Sequence, residues 1–370
     1  MLKTGSHGRL WPNRDQELLL KAAIGTGDDA VAAYRAWRDR TDFAGHVDEG
    51  TFNLIPLLYA NMARLGVQDR VMPRLKGVYR NSWVRSAQRA SVAAELLGLL
   101  HQAGIKVMVS KGLPLALAFY DGPAARPMND FDLVVPKSKA AEASRLLQGR
   151  GFRAARHAWN QELAIRHAVS HIHPSRGEVD LHWHILFECL SEEADRHFWD
   201  HAVPLDVSGV PVLRPSATDL LLHVLIHGMR WNMAPPMRWV ADAAMILRGS
   251  EAVDWDRMIA FAARYRLTQR LSLALTYLKE RFEIPVPDPV VAAIAGGSSL
   301  VEKFEIFAMQ GEDERSGFRH LRRAAHLLRL ATSEERAGLS RALGHEILKR
   351  YGPTGFAARR ARNARLAVTD

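Results

Sequence analysis

The chain has 370 residues, a length at which two or three packed subdomains are expected. Its apolar content of 48% and charged content of 24% are ordinary for a globular protein. No apolar run approaches the roughly 20 residues that a membrane-spanning helix needs. The single cysteine, Cys189, excludes an internal disulfide and a cysteine-based zinc site. With no secretory signal at the N-terminus, we expect a cytoplasmic protein.

The net charge of +10 is concentrated near the C-terminal end. The segment from Arg315 to Asp370 contains 12 Arg and 1 Lys against 3 Glu and 1 Asp. A basic segment of this kind suits an anionic partner such as nucleic acid, an anionic membrane surface or an acidic substrate. It is equally typical of a solvated helical face, so both interpretations stay open.

The predicted elements change in character twice along the chain. Helical periodicity runs from about Asp15 to Gly104. Short apolar runs and turns then predict strand, helix, strand, helix, two strands and a hairpin, at residues 105–109, 111–120, 131–135, 138–150, 169–173, 178–186 and 203–215. The hairpin turn is expected at Ser208 and Gly209. Helices return after Ser216, at residues 219–227, 237–247, 255–265 and 268–282, and continue into the Arg-rich end.

This order predicts an α+β protein with a small mixed sheet flanked by helices. The N-terminal helical region covers residues 1–104, the α/β core covers 105–215, and the C-terminal helical region with its Arg-rich tail covers 216–370. The residues whose chemistry stands out lie in the core.

Two aspartates alternate with apolar residues in the second predicted strand. Because residues two apart in a strand point to the same face, Asp130 and Asp132 project together, opposite Phe131 and Leu133. Two adjacent carboxylates repel each other, which raises at least one pKa unless a cation lies between them. Mg²⁺ prefers oxygen ligands and commonly combines one or two carboxylates with substrate phosphates. The pattern therefore favours a divalent metal site.

A later strand repeats the pattern. Asp180, His182 and His184 share one predicted face, opposite Val179, Leu181, Trp183 and Ile185. If the two strands are neighbours, their backbones lie about 4.8 Å apart, and Asp180 completes a cluster of three carboxylates. Such a cluster can hold two metals for an in-line displacement at phosphorus. His182 and His184 are candidates for orienting a carboxylate or touching substrate.

A lysine and a glycine lie where the first predicted strand meets a helix. Backbone N–H groups at a helix start, with a glycine permitting close approach, suit a phosphate, and Lys111 adds a positive charge. Ser110, Lys111 and Gly112 are therefore candidate nucleotide-binding residues. Arg126 is a further candidate phosphate contact, although pairing with a nearby carboxylate is the alternative. The chain has no P-loop and no dinucleotide-binding glycine motif.

These residues together resemble a known family. The pattern of Lys111 and Gly112, a helix, Arg126, Asp130-x-Asp132 and then Val179 to Trp183 is similar to that of the bacterial uncharacterised nucleotidyltransferase family of the polymerase-β-like superfamily. Two flanking segments, residues 56–59 and 237–242, are similar to segments of the same family. The resemblance covers roughly residues 15 to 250. The chain departs from the superfamily in having Lys-Gly before the helix and a spacer of 17 residues from Gly112 to Asp130.

The resemblance implies an enzyme that moves a nucleotidyl group from an NTP, with ATP as the expected donor, to a hydroxyl-bearing acceptor of unknown identity. It implies that Asp130 and Asp132 bind Mg²⁺ or Mn²⁺. Asp180 is implied as a further metal ligand or as the general base for the incoming hydroxyl. Base preference, acceptor and oligomeric state do not follow from the residues.

Two other functions fit parts of the sequence. Five histidines, with Asp180, are close enough along the chain to bind zinc or another transition metal, which predicts a metal-dependent hydrolase; they are His167, His171, His173, His182 and His184. A non-catalytic protein that binds nucleic acid or another partner through the basic tail is the second alternative.

Overall fold

The computed structural model describes residues 10–41, 47–155, 163, 166–230, 237–310 and 318–331. These residues form fourteen α-helices and a seven-stranded mixed sheet. The protein is therefore mixed α and β, with helices on both sides of the sheet-forming segment, as the sequence predicts. Most of the Arg-rich tail lies outside the described residues, and binding of an anionic partner by it stays a prediction.

Four helices precede the first strand. They are α1 (Arg14–Ile24), α2 (Gly27–Arg40), α3 (Glu49–Arg64) and α4 (Met72–Gln102). Polar side chains start two of them: Asn13 and Gln16 form a capping box on α1, and Asp48 caps α3 by accepting from the backbone N–H of Thr51. These caps satisfy N–H groups that have no partner inside the helix, and so fix where each helix begins.

The central segment alternates strands and helices. Its elements are β1 (Met108–Ser110), α5 (Gly112–Ala118), β2 (Asp130–Val134), α6 (Ala140–Gly149), β3 (Arg153–Ala154), β4 (Ala168–His173), β5 (Gly177–His182), α7 (Glu192–Asp200), β6 (Val203–Val207) and β7 (Val210–Arg214). The strand order is β3-β4-β5-β2-β1-β7-β6. β2 is central, running parallel to β5 and antiparallel to β1. The predicted hairpin is confirmed, with Ser208 and Gly209 at its turn.

Seven helices follow the sheet. They are α8 (Ala217–Gly228), α9 (Arg238–Arg248), α10 (Trp255–Arg264), α11 (Thr268–Phe282), α12 (Asp288–Ile294), α13 (Leu300–Met309) and α14 (Phe318–Ala331). The predicted helices at 219–227, 237–247, 255–265 and 268–282 correspond to α8 to α11, with ends displaced by at most two residues.

The sheet separates two apolar cores. Phe131 and Leu133 enter one core, which α4 and α6 cover, whereas Val134 enters the other, which contains the N-terminal helices and α8, α9 and α11. Because side chains alternate along a strand, Asp132 points to the same side as Val134. The aspartates therefore face the helices α8 and α9.

Two predicted strands are shorter than their apolar runs suggest. The first begins at Met108 rather than Ile105, and β5 ends at His182 rather than at residue 186. Both limits coincide with the end of β2, since Met108 and His182 each pair with Val134. The apolar residues outside these limits are still buried, which explains why their composition resembles that of strands.

Candidate active site

Strand pairing places the three predicted aspartates on neighbouring strands. Asp132 of β2 lies opposite Ser110 of β1 on one side and opposite Asp180 of β5 on the other. Asp130 is two residues earlier on β2 and therefore on the same face. Asp132 is buried, whereas Asp130 and Asp180 are half-buried and remain open to solvent. The expected adjacency of the two aspartate strands is thus confirmed.

Two cationic or polar side chains hold Asp132. Lys111 Nζ lies 2.5 Å from Oδ1 of Asp132, and His182 Nε2 lies 2.8 Å from the same oxygen. Although burial opposes ionisation, the charge of Lys111 and the hydrogen bond to His182 keep the pKa of Asp132 far below its ordinary value. Asp132 is therefore an anion at neutral pH. His182 orients this carboxylate, which is one of the two roles that its position on the strand predicts.

Asp130 experiences the repulsion expected of adjacent carboxylates. Burial, followed by the negative charge of Asp132, raises the pKa of Asp130 above its ordinary value. Asp180 adds a smaller contribution in the same direction, while Lys111 acts against it. The hydroxyl of Ser170 on β4 donates to Oδ1 of Asp180 at 2.5 Å, which holds that carboxylate in place.

The donor atoms of this cluster fit a divalent cation. One atom each from Asp132, Asp180 and His182 lies within 4.8 Å of the other two. Carboxylate oxygens are the ligands that Mg²⁺ and Mn²⁺ prefer, and an added positive charge would relieve the repulsion that Asp130 experiences. Of the three predicted ligands, Asp132 and Asp180 belong to this group, whereas Asp130 does not, and its role as a ligand stays a prediction.

The turn between β1 and α5 has an unusual backbone. Lys111 adopts φ 53° and ψ −117°, a combination that favours glycine and costs a lysine on the order of 1–3 kcal/mol. Ser110, just before it, is buried and its hydroxyl lies 3.1 Å from Nδ1 of His223. Gly112 starts α5, where an added Cβ would lie 3.1 Å from Cγ of Met128. This conformation directs the Lys111 side chain onto Asp132.

A cavity of about 480 Å³ opens in front of Asp130 and Asp132. Its wall combines the β1–α5 turn, the start of α3, and the facing parts of α8 and α9. Its charged lining residues are Glu49, Lys111, Arg126, Asp130, Asp132, Arg238 and Asp242. The volume falls in the roughly 300–1,000 Å³ range of small-molecule sites. The cavity is large enough for a substrate of nucleotide size.

Arg126 takes part in a buried ion pair at the cavity wall. Its Nε and one terminal nitrogen donate to the two oxygens of Asp242, at 2.6 and 2.8 Å, and the hydroxyl of Tyr120 also donates to Asp242. This is the carboxylate pairing that was the alternative to a phosphate contact. The guanidinium still lines the cavity, and direct contact with a phosphate stays a prediction.

Three residues that the sequence motifs do not include also line the cavity. Arg238 donates to the backbone carbonyl of Pro127, which accepts from Arg126 as well. His223 and His227 lie one turn apart on α8, and the Nε2 atom of His223 has no hydrogen-bond partner among the described residues. Burial and then the charge of Lys111 lower the pKa of His223 to about 3, so its ring is neutral. The spacing of four residues between these histidines was the available sequence signal.

The five histidines of the predicted metal site do not gather at one point: His167 lies beside His182, with ring centroids 5.2 Å apart, whereas the other three have separate partners. His171 bonds to Ser144 and His184 to Asp195, while His173 accepts from the backbone N–H of Ser175. His184 leaves the face of Asp180 because β5 ends at His182. Of the five, His182 alone joins a group able to hold a metal within the described part of the chain.

The sequence profile of a family described as uncharacterised nucleotidyltransferase matches residues 52–283. The match covers more than half of the chain and includes β1, β2 and β5 with the three aspartates. The chain belongs to this family. Membership of the uncharacterised nucleotidyltransferases implies a transferase that uses an NTP, and it leaves substrate and acceptor undefined.

Two solved structures are similar to this nucleotidyltransferase family member. One is the solution structure of the antibiotic-resistance factor ANT(2'')-Ia, with 12% identity and a TM-score of 0.36, covering 52% of this chain and 98% of that chain. The other is an antigenic nucleotidyltransferase-like protein from Paracoccidioides brasiliensis, with 15% identity and a TM-score of 0.34, covering 58% and 94%. No curated protein sequence matches the chain. None of the helices in the described ranges combines the length and apolar character of a membrane span.

Proposed function

We propose that the protein transfers a nucleotidyl group from an NTP to an acceptor hydroxyl, with Asp130, Asp132 and Asp180 as ligands of Mg²⁺ or Mn²⁺. The observation that carries the proposal is the pairing of Asp132 with Asp180 across β2 and β5, at the edge of the 480 Å³ cavity. The raised pKa of Asp130 and the ligand chemistry of the cluster support a cation at this position.

Some residues of the site bind the donor, and Asp180 accepts a proton. Bound divalent metal would neutralise charge on the phosphates and acidify the acceptor hydroxyl. Asp180, held by Ser170 and paired with Asp132 across the two strands, accepts the proton of that hydroxyl, whose oxygen bonds to the α-phosphorus as the bond to the leaving pyrophosphate breaks. Lys111 and Arg238 are cations of the cavity wall and hold the phosphates of the donor. Positioning and electrostatics then supply most of the rate, as in other phosphoryl transfers.

The acceptor occupies the remaining wall of the cavity. That wall is formed by Glu49 and Asn53 of α3 and by His223 and His227 of α8. Nε2 of His223 has no hydrogen-bond partner among the described residues, so the acceptor or the donor sugar can form a hydrogen bond with it. The wall therefore offers both carboxylate and neutral imidazole groups to a polar ligand.

A labelling experiment tests the proposal without knowledge of the acceptor. Wild type and Asp132→Asn are incubated with cell extract, Mg²⁺ and ATP labelled in the base, and the products are compared by mass spectrometry. We expect a product heavier by one nucleoside monophosphate with wild type and its loss with Asp132→Asn. Asp200→Asn, which changes an exposed aspartate at the end of α7, is the matched control and keeps the product. An equal yield from Asp132→Asn contradicts the mechanism.

A further inference from the structure

A second cavity lies apart from the aspartates, between the segment after β5 and the helices α11, α13 and α14. Its volume is about 220 Å³, below the roughly 300–1,000 Å³ of sites for drug-sized ligands. It is lined by Phe187, Glu188, Arg230, Arg270, Glu305, Met309, Arg322, Ala325, His326 and Arg329. Four arginines and two glutamates therefore surround a space suited to a small molecule.

Each of the two glutamates forms a bidentate ion pair with one of the arginines. Glu188 accepts from Nε and one terminal nitrogen of Arg230, both at 2.8 Å. Glu305 likewise accepts two hydrogen bonds from Arg329, and other N–H groups of Arg329 donate to backbone carbonyls of the α10–α11 turn. Although burial opposes ionisation, Arg230 and then Arg270 keep the pKa of Glu188 far below its ordinary value. Two carboxylate charges thus match two guanidinium charges.

Arg270 is the arginine that these pairs do not satisfy. It is 3% exposed, and its contacts are a 2.7 Å bond to Glu188 and a long 3.5 Å contact to Glu305. Its Nε has no hydrogen-bond partner within the described ranges. A buried guanidinium that shares its carboxylates with stronger partners is costly unless another anion is present. Arg230, Arg270 and Arg329 together carry one positive charge more than Glu188 and Glu305, and Arg322 also lies in the wall.

The remaining wall is aromatic and adds no charge. The ring of His326 stacks on that of Phe187, with centroids 4.2 Å apart and an interplanar angle of 10°. The guanidinium of Arg230 lies over the Phe187 ring, 5.3 Å from its centroid. Burial lowers the pKa of His326 to about 4, so at neutral pH it does not add to the excess. Because the ring of Phe187 covers a face of the Arg230 guanidinium and not its edge, the donors that do not bind Glu188 can still bind an oxyanion.

We propose that this second cavity binds a small ligand carrying a phosphate group. The excess of guanidinium groups, the unsatisfied Nε of buried Arg270 and the limited volume all fit a tetrahedral oxyanion with more than one negative charge. Guanidinium forks bind phosphate oxygens in pairs, which explains the use of arginine rather than lysine throughout the wall. This inference does not depend on the proposed transferase chemistry.

Calorimetry on the full chain tests the proposal. Wild type is titrated with inorganic phosphate and with ribose 5-phosphate, in chloride buffer without divalent metal. Arg322→Gln removes one half-buried guanidinium from the wall, and Ala325→Leu fills the cavity from the same helix. We expect wild type to bind at least one of the two ligands, and each variant to weaken that binding at least about tenfold. The ligand that binds more tightly shows whether the ion or an ester is preferred.

Two further variants locate the binding. Arg323→Gln changes a half-buried arginine of α14 that is absent from the cavity lining, and it is the matched control for Arg322→Gln. Lys76→Met removes an exposed cation of α4 that lines neither cavity. Both are expected to keep wild-type affinity. Absence of binding by wild type, equal affinity in Arg322→Gln and Ala325→Leu, or loss of binding in Lys76→Met each overturns the proposal. None of these results depends on whether the protein transfers nucleotides.

Discussion

The ammonium group of Lys111 lies 2.5 Å from Oδ1 of Asp132, the most buried carboxylate of the candidate metal site. The lysine thus occupies a position beside an oxygen that a divalent cation also requires. Since an ammonium and a metal ion repel each other, Lys111 has to leave Asp132 when metal binds. A triphosphate in the cavity offers the displaced ammonium a new anion. Metal and NTP are therefore expected to bind cooperatively.

Replacing Lys111 separates its competition with the metal from its contact with the triphosphate. In Lys111→Met, metal binding in the absence of nucleotide should tighten by about tenfold, because the competing cation is gone, a change of about 1.4 kcal/mol. NTP binding in the presence of metal should weaken by a similar factor, because a phosphate contact is lost. Both are measured by calorimetry, with Lys76→Met on the exposed face of α4 as control. Weaker metal binding in Lys111→Met would contradict the competition.

The Arg126–Asp242 pair is expected to support the cavity wall. Both side chains are less than a tenth exposed, and removing one partner leaves a buried charge. Asp242→Ala should lower the free energy of unfolding by about 3–5 kcal/mol in urea denaturation. Replacing both residues, as Arg126→Met with Asp242→Leu, should recover part of this loss because no unpaired charge remains. An Asp242→Ala protein of wild-type stability would show that the pair does not hold the wall.

The sequence predicted the strands of the sheet other than β3, and the facing aspartates, because their signals are local. Alternation in residues 130–133 and 179–182 specifies which side chains share a face, and the aspartate strands proved to be neighbours. The apolar runs gave the wrong strand ends, because a buried apolar residue need not pair with a neighbouring strand. His184 was misplaced for that reason.

Long-range contacts could not be read from the sequence. Asp242 is 116 residues from Arg126, and the bond of Ser110 to His223 spans 113 residues. The pairing of Arg126 depends on how α9 packs against the sheet, which no local pattern specifies. The second cavity likewise combines five separate segments, so its excess of arginine is invisible along the chain.

The buried histidine of the second cavity should make stability sensitive to acid. The pKa of His326 is lowered from 6.5 to about 4, chiefly by burial. As the pH falls below 6.5, the unfolded chain takes up a proton that the folded chain does not take up until about pH 4. The contribution of His326 to the free energy of unfolding is thus complete above pH 6.5 and is lost progressively down to about pH 4.

The variant His326→Phe keeps an aromatic ring against Phe187 and removes the titrating group. Its free energy of unfolding should fall less steeply than that of wild type between pH 6.5 and about 4. Urea denaturation at several pH values in phosphate-free buffer measures the difference, and His320→Phe on the exposed face of α14 controls for the substitution. Identical pH profiles for His326→Phe and wild type would contradict a neutral, buried His326.

Metal-dependent binding of a non-hydrolysable ATP analogue, measured by calorimetry, tests the proposed metal and nucleotide site without an acceptor. We expect wild type and Asp200→Asn to bind the analogue with Mg²⁺ and at least about tenfold more weakly without it. Asp132→Asn and Asp180→Asn should lose this metal-dependent gain. Equal affinity in all four proteins, with and without Mg²⁺, would contradict the assignment of the aspartates to a metal and nucleotide site.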